Sequence, residues 1–238
     1  MAGMRKIHED RRVLNVDGRE IALRVRRNPR ARRLSLRVDT IEGEAVLTVP
    51  PSTSVIEGIR FAERKSGWLA NRLDKVPPRV PFVDGSTVSI LDQEYVVRHA
   101  PDAGRVVRRE GGEILVSGGI EHLARRLTDW LKREARRELA ARAQTMAASI
   151  EEKAGRISVR DTRSRWGSCS AKGNLSFSWR LILAPEFVLN YVVAHEVAHL
   201  IERNHGPKFW KLVARLDDQA DAARKWLRRN GEALHRMG

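Results

Sequence analysis

The sequence predicts an α+β protein: a small β-rich N-terminal domain carrying one helix, followed by a mainly helical domain. Three observations carry this expectation. Apolar residues alternate with polar ones in short bursts over 13–50 and 80–116, as half-buried strands require. Leu123, Leu127, Leu131, Leu139 and Met146 form a stripe at helical spacing over 120–153. Beyond Pro185 apolar positions again recur at helical spacing. The expected domains are 1–118 and 119–238.

Taken in order, Ile21, Leu23 and Val25, then Leu34, Leu36 and Val38, then Val46 and Thr48 mark three strands. Asn28-Pro29 and Glu42-Gly43 separate them, and Pro50-Pro51 ends the third. Val55, Ile59, Trp68, Leu69 and Leu73 predict one amphipathic helix over 52–75, bent at Gly67 and stopped by Pro77-Pro78. Short strands follow over 88–91, 95–98, 106–107 and 114–116, with turns at Asp84-Gly85 and Gly111-Gly112. After the long helix, 157–162 and 174–183 read as strands flanking a loop over 163–173. Pro185 suits a first helical position and Glu186 the positive end of the dipole, so a helix starts there and runs to about Arg203. Gly206-Pro207 breaks the chain before a helix bearing Phe209, Trp210, Leu212, Val213 and Leu216, and a last helix spans 218–230. No internal repeat is legible.

Composition narrows the function. A chain of 238 residues buries a real core. Its 45 Lys and Arg against 30 Asp and Glu give a net charge of +15, which admits an anionic partner. The segment with Arg24, Arg26, Arg27, Arg30, Arg32, Arg33 and Arg37 reads two ways: a surface tracking the phosphates of nucleic acid or another polyanion, or a solvated face whose charges discourage edge pairing. Cys169 is the only cysteine, so neither an intramolecular disulfide nor a cysteine metal cluster can form. This fits a reducing compartment, and the expected location is cytoplasmic. The polar N-terminus lacks the apolar stretch of an export signal, and no run approaches the roughly 18 apolar residues of a membrane span, so no membrane partner is expected. The oligomeric state has no signature in the sequence.

The chemistry is concentrated in His195-Glu196-Val197-Ala198-His199. A separation of four residues puts the two imidazoles one helical turn apart on one face, able to grip a metal ion. Glu196 beside them is poorly placed to join the same ligand shell, but well placed to take a proton from a water the metal activates. His205 lies six residues after His199, and Asn204 tolerates the left-handed conformation by which helices often end, so the chain can turn His205 back. Three neutral imidazoles leaving one tetrahedral position open are the arrangement of hydrolytic Zn2+, whereas a structural site is closed by a fourth protein ligand. The alternative is two ordinary surface histidines. Val188, Tyr191, Val192, Val197 and Ala198 count against it, because they make the helix too apolar for unpartnered histidines.

These residues stand among others: Arg165-Trp166-Gly167-Ser168-Cys169-Ser170, Trp179-Arg180-Leu181-Ile182, Ala184-Pro185, Tyr191-Val192-Val193-Ala194 before His195, and Asn204-His205 with Phe209-Trp210. Together they resemble the YgjP-like family of predicted zinc-dependent metallopeptidases, densely from Arg163 to Trp210 and weakly over the N-terminal strands. The resemblance implies a zincin-like catalytic domain in which His195, His199 and His205 bind zinc, Glu196 is the catalytic carboxylate, and the substrate is a protein or peptide. A more distant similarity links the chain to SprT-like and WLM proteases, which act on DNA-bound proteins. Two positions depart from pattern. Glu202 stands where the related metzincin motif has a glycine, so the helix is expected to exit later, at Asn204. An alternative third ligand is then an acid from a later helix: Asp217, Asp218 or Asp221. Leu91-Asp92-Gln93-Glu94 stands where a glycine-containing hairpin turn is expected, away from the active site.

Leu175, Phe177 and Trp179 alternate with polar residues, so this strand either adds an extended peptide at its edge or is a covered core strand. In the loop before it, Arg165 or Ser168 either stabilises an oxyanion or binds a substrate anion, or the loop only braces the metal helix. Cys169 reads as a buried structural thiol. The function expected first is a zinc-dependent peptidase with Glu196 as general base. The alternatives are a metal-dependent hydrolase of nucleotides or phosphoesters, and a nucleic-acid-associated protease.

Overall fold

The computed structural model describes residues 8–16, 18–102, 104 and 106–238, so residues 1–7 of the polar N-terminus lie outside the described chain. Two compact units divide it, Met1–Pro78 and Arg79–Gly238.

In the first unit, the apolar faces expected from alternation form a four-stranded sheet. Its strands are β1 (His8–Val16), β2 (Arg19–Arg27), β3 (Ser35–Asp39) and β4 (Glu44–Val49), ordered β1-β2-β4-β3. The outer pairs are antiparallel and β2 runs parallel to β4. β1 is a strand that alternation does not reveal, because its first five residues, His8 to Arg12, are polar or charged without interruption. Ile21, Leu23 and Val25 pack with Ala45, Leu47 and Val49 under Ala62 and Leu69. The single helix expected over 52–75 is two, α1 (Val55–Glu63) and α2 (Ser66–Asp74), broken at Arg64 and Lys65 rather than bent at Gly67. Ser54 opens α1 with a capping box, exchanging hydrogen bonds with Glu57. Gly58 lets α1 lie close on the sheet, since a Cβ there would stand 3.0 Å from a Val49 methyl.

The second unit begins with another four-stranded sheet: β5 (Thr87–Ile90), β6 (Gln93–His99), β7 (Val107–Glu110) and β8 (Glu113–Val116). Its order, β5-β6-β8-β7, and its strand directions repeat those of the first sheet. This is a repeat of topology, which the hydrophobic pattern of the sequence does not disclose. Val88, Ile90, Val97, Ile114 and Val116 share one core with Leu123, Leu127 and Leu131 of α3 (Leu123–Ser149). The sheet therefore belongs with the helices, and the units divide at Pro78 rather than near residue 118. Both units combine sheet and helix, so the class is α+β.

After α3 come β9 (Ile157–Arg160), β10 (Gly167–Cys169) and β11 (Leu175–Ser178), in the order β10-β11-β9. The strand expected to continue to residue 183 stops at Ser178, and Trp179–Leu183 forms a 3-10 turn. β11 pairs antiparallel with β10 and parallel with β9. Both its edges are occupied, so an incoming peptide has no edge on β11; the edge strands of this sheet are β10 and β9.

Helices α4 (Glu186–Ala198), α5 (Pro207–Leu216) and α6 (Ala220–His235) complete the unit. α4 is buried on nearly every side, through Val188, Leu189, Val192, Val193 and Val197 among others. Arg142 of α3 fixes it, with its guanidinium 2.6 Å from the Glu186 carboxylate and 2.9 Å from the Asn190 side-chain oxygen. Among the described residues, no helix is long and apolar enough to cross a membrane.

Candidate metal centre

The site begins with the spacing of His195 and His199 on α4. The helix ends sooner than the apolar pattern suggests: Ala198 is its last residue and His199 its cap. Short turn bonds then reverse the chain, from Leu200 N–H to the Val197 carbonyl (2.9 Å) and from Ile201 and Glu202 N–H to the Ala198 carbonyl (3.2 and 2.9 Å). No left-handed residue is used, since Asn204 is not among the residues of positive φ. The expected exit at Asn204 is thus replaced by a tight turn four to five residues earlier, and Glu202 needs no glycine's freedom. Its backbone carbonyl instead accepts a hydrogen bond from His199 Nδ1 at 2.9 Å, which leaves Nε2 with its lone pair for a metal.

The turn brings His205 back to the helix. The ligand nitrogens of His195, His199 and His205 all lie within 4.8 Å of one another. His195 Nε2 and His205 Nε2 are 3.2 Å apart. Two nitrogens each ~2.05 Å from a tetrahedral ion would stand about 3.3 Å apart, so the donor set fits zinc. Burial and the neighbouring imidazoles push the His195 pKa down to about 4, and burial also lowers that of His199, which keeps both neutral and able to coordinate. Phe209, fully buried at the start of α5, stands 5.0, 4.5 and 4.7 Å from the centroids of His195, His199 and His205, as an apolar backing common to all three. Among the described residues no other group of His, Cys, Asp or Glu side chains is gathered to hold a metal, and Asp217, Asp218 and Asp221 are not in this one.

Glu196 lies against β10. Its side chain is 5 % exposed, and a Cβ placed on Gly167 would come within 2.5 Å of its Cγ and Oε1. Only a residue without a side chain lets the edge strand and this carboxyl coexist. Burial raises the Glu196 pKa to about 7, opposed by the positive charge of Arg165. A carboxyl poised near neutrality suits a proton carrier.

The loop preceding β10 braces the site. Trp166 stacks on His235 of α6 at 4.3 Å between centroids, and a Cβ on Gly231 would meet it at 3.2 Å. Ser168 pairs with Ser176 on β11, and successive strand residues point to opposite faces. Ser168 therefore faces away from the Glu196 side, which leaves it unable to serve as an oxyanion donor there. Cys169 is half-buried rather than buried, and desolvation raises its pKa, so its thiol stays protonated and unreactive. Sequence reasoning also missed Tyr191, whose hydroxyl stands 3.5 Å from His195 Nδ1 and so lies beside the ring it can orient. Its signal was the position one helical turn before the first histidine.

A cavity of about 510 Å³ opens over Gly167, His195 and Glu196 between β10 and α6. Arg165, Arg224 and Arg228 line it, together with Trp166 and Leu227. Three convergent imidazoles, of which His195 lines the cleft beside the buried Glu196 carboxyl, are the furnishings of a metallohydrolase. The family can be stated more narrowly, because the model of the YgjP-like metallopeptidase domain matches residues 32–230, and the chain belongs to that family. No curated protein and no solved structure matches it.

Proposed function

We propose that the chain is a zinc-dependent peptidase in which His195, His199 and His205 hold the ion and Glu196 is the general base. The observation that carries this reading is the convergence of three ring nitrogens within 4.8 Å, with the Glu196 carboxyl next along the helix at an open strand edge. Zinc held there supplies Lewis-acid polarisation of the scissile carbonyl and acidifies the attacking water. Glu196 takes the water's proton and passes it to the leaving nitrogen. Gly167 leaves the space in which that carboxyl sits, and β10 offers its edge to align an extended peptide. Tyr191 and the Glu202 carbonyl orient the rings of His195 and His199. The single free cysteine suits a reducing compartment, and the proposed location is the cytoplasm.

A second reading, hydrolysis of nucleotides or other phosphoesters, is favoured by the three arginines in the cleft. Incubation of the zinc-loaded protein with a denatured protein pool and with nucleoside triphosphates, each with and without chelator, decides between them. Glu196→Gln should retain one zinc per chain by elemental analysis and lose turnover by about 10²- to 10⁴-fold. Full turnover in that variant would remove the general-base role.

A further inference from the structure

The open edge of β10 lies between two arginine-lined cavities. One is the cleft over Glu196, with Arg165, Arg224 and Arg228. The other, of about 490 Å³, occupies the opposite face of the sheet. Register explains its floor: Ser168 on β10 pairs with Ser176 on β11, which pairs with Ser158 on β9, giving a row of three hydroxyls across three strands. Arg156 and Arg160 flank Ser158 on the same face, and Arg165 lines this cavity as well as the cleft. Among the described residues no acidic side chain lines the serine cavity, and Glu196 is the only one lining the cleft. Among the described residues Arg156, Arg160, Arg165 and Arg228 have no carboxylate within ion-pair distance, while Arg224 has Asp221 at 3.4 Å.

The edge itself is available to a backbone. Ser178 N–H donates to the Trp166 carbonyl at 2.8 Å and Ser170 N–H to the Asn174 carbonyl at 2.9 Å. These bonds set the phase of the antiparallel ladder, so the N–H and C=O groups of Gly167 and Cys169 point away from β11. A strand added there sends its side chains alternately to the two faces of the sheet.

We propose that the enzyme selects acidic peptide segments, whose alternate carboxylates enter the cleft and the serine cavity while the backbone pairs with β10. The inference rests on the peptidase reading and names its substrate class. A peptide fits better than a nucleic acid, because the edge presents amide groups in strand spacing and the serine cavity offers no aromatic ring for base stacking.

The test uses the full zinc-loaded protein and three quenched-fluorescence peptides of one scaffold, with Glu, Gln or Lys at the positions flanking the scissile bond. Exposed ion pairs are each worth roughly 1.5- to 5-fold, so two or three should make kcat/KM about tenfold higher for Glu than for Gln at low salt. Added salt should shrink that ratio. The double variant Arg156→Glu, Arg160→Glu should bring it to one or below, and anisotropy should show the same loss in binding of the Glu peptide to metal-free protein. Equal cleavage of the Glu and Gln peptides overturns the acidic selection and leaves the peptidase reading standing. Cleavage of none of the three overturns the peptidase reading, and the binding arm then judges the cavities alone. An oligonucleotide of equal charge that displaces the Glu peptide at lower concentration than the peptide itself overturns the choice of a peptide ligand.

Discussion

Both units carry arginines on sheets, and they use them differently. In the first unit Arg24 is 18 % exposed and lies 2.8 Å from both Asp39 and Glu44, two buried carboxylates, while Arg26 lies 2.7 Å from Glu9. In the second, Arg156, Arg160 and Arg165 surround a row of serines with, among the described residues, no carboxylate lining the same cavity. The same residue type is a structural counter-ion in one sheet and open cationic surface in the other. A net charge of +15 therefore says little about where an anion binds. What decides is whether the fold supplies the carboxylate itself. Arg24 is paired with buried carboxylates and Arg26 with the exposed Glu9, which supports a structural role over a phosphate-tracking one for these two, whereas Arg27, Arg30, Arg32 and Arg33 are exposed.

Glycine at close contacts gives the comparison its largest expected effect. Gly58 lets a helix approach the first sheet and Gly167 lets the Glu196 carboxyl, the proposed general base, approach the third. At Gly58 a new methyl meets side-chain methyls at 3.0 and 3.1 Å, which can shift slightly. At Gly167 it meets Glu196 Oε1 at 2.5 Å and must displace the carboxyl. Gly167→Ala should therefore lower kcat by about 10²-fold or more, within the range expected for losing a positioned general base, with zinc content unchanged. Normal kcat would show that Glu196 does its work from another position.

Next in size is Arg24→Ala. It leaves Asp39 and Glu44 buried without their cation, and breaking such a pair typically costs about 3 kcal/mol. Urea unfolding should show that loss, and a change below about 1 kcal/mol would mean that water reaches those carboxylates.

The two sheets of repeated topology differ in their first turns as well. Gly18 serves the β1–β2 turn at φ +78, where glycine is unstrained, but the β5–β6 turn places Leu91 and Asp92 at φ 47 and 68. This strained turn holds the segment that leads into α4. Asp92 Oδ2 accepts a hydrogen bond from Glu186 N–H at 2.8 Å, and Leu91 N–H donates to the Ile182 carbonyl at 3.2 Å. α4 has no side-chain cap of its own, so a hairpin 94 residues upstream supplies one to the helix that carries His195, Glu196 and His199. Asp92→Ala removes the cap, at about 1 kcal/mol, and keeps a Cβ in the left-handed region, whereas Asp92→Gly removes the same cap but relieves that strain and should be roughly 1 kcal/mol more stable than the Ala variant. Equal stability of the two variants would separate strain from the cap.

That turn also marks the limit of what the sequence discloses. His195, Glu196 and His199 are legible because helix geometry is fixed by local spacing, and His205 because only a short reversal is needed. Helical and strand stretches are legible where apolar residues keep a period, as in α3 and β2, but β1 is hidden because a charged edge strand keeps none. The Gly167 clearance, the Asp92 cap, the backing by Phe209 and the serine row are all meetings of distant segments. Such contacts depend on register and packing, which no local pattern encodes. The same holds for the break between α1 and α2, where Gly67 was the more conspicuous helix-breaker and the chain turns instead at Lys65.

The smallest expected effect is the most informative about arginine use. Arg160→Ala removes a side chain that is exposed and, among the described residues, has no ion-pair partner. Its effect on unfolding should lie within about 0.5 kcal/mol, in contrast to Arg24→Ala. If unpaired arginines are kept for an external anion, the loss should appear only when that anion is present: little change in melting temperature alone, and weaker stabilisation by an acidic peptide than in the wild type, because a ligand stabilises in proportion to its binding to the folded state. Thermal unfolding of both proteins with and without the Glu peptide measures this. If Arg160→Ala lowers stability as much as Arg24→Ala does, the residue is structural after all, and the contrast between the two sheets fails.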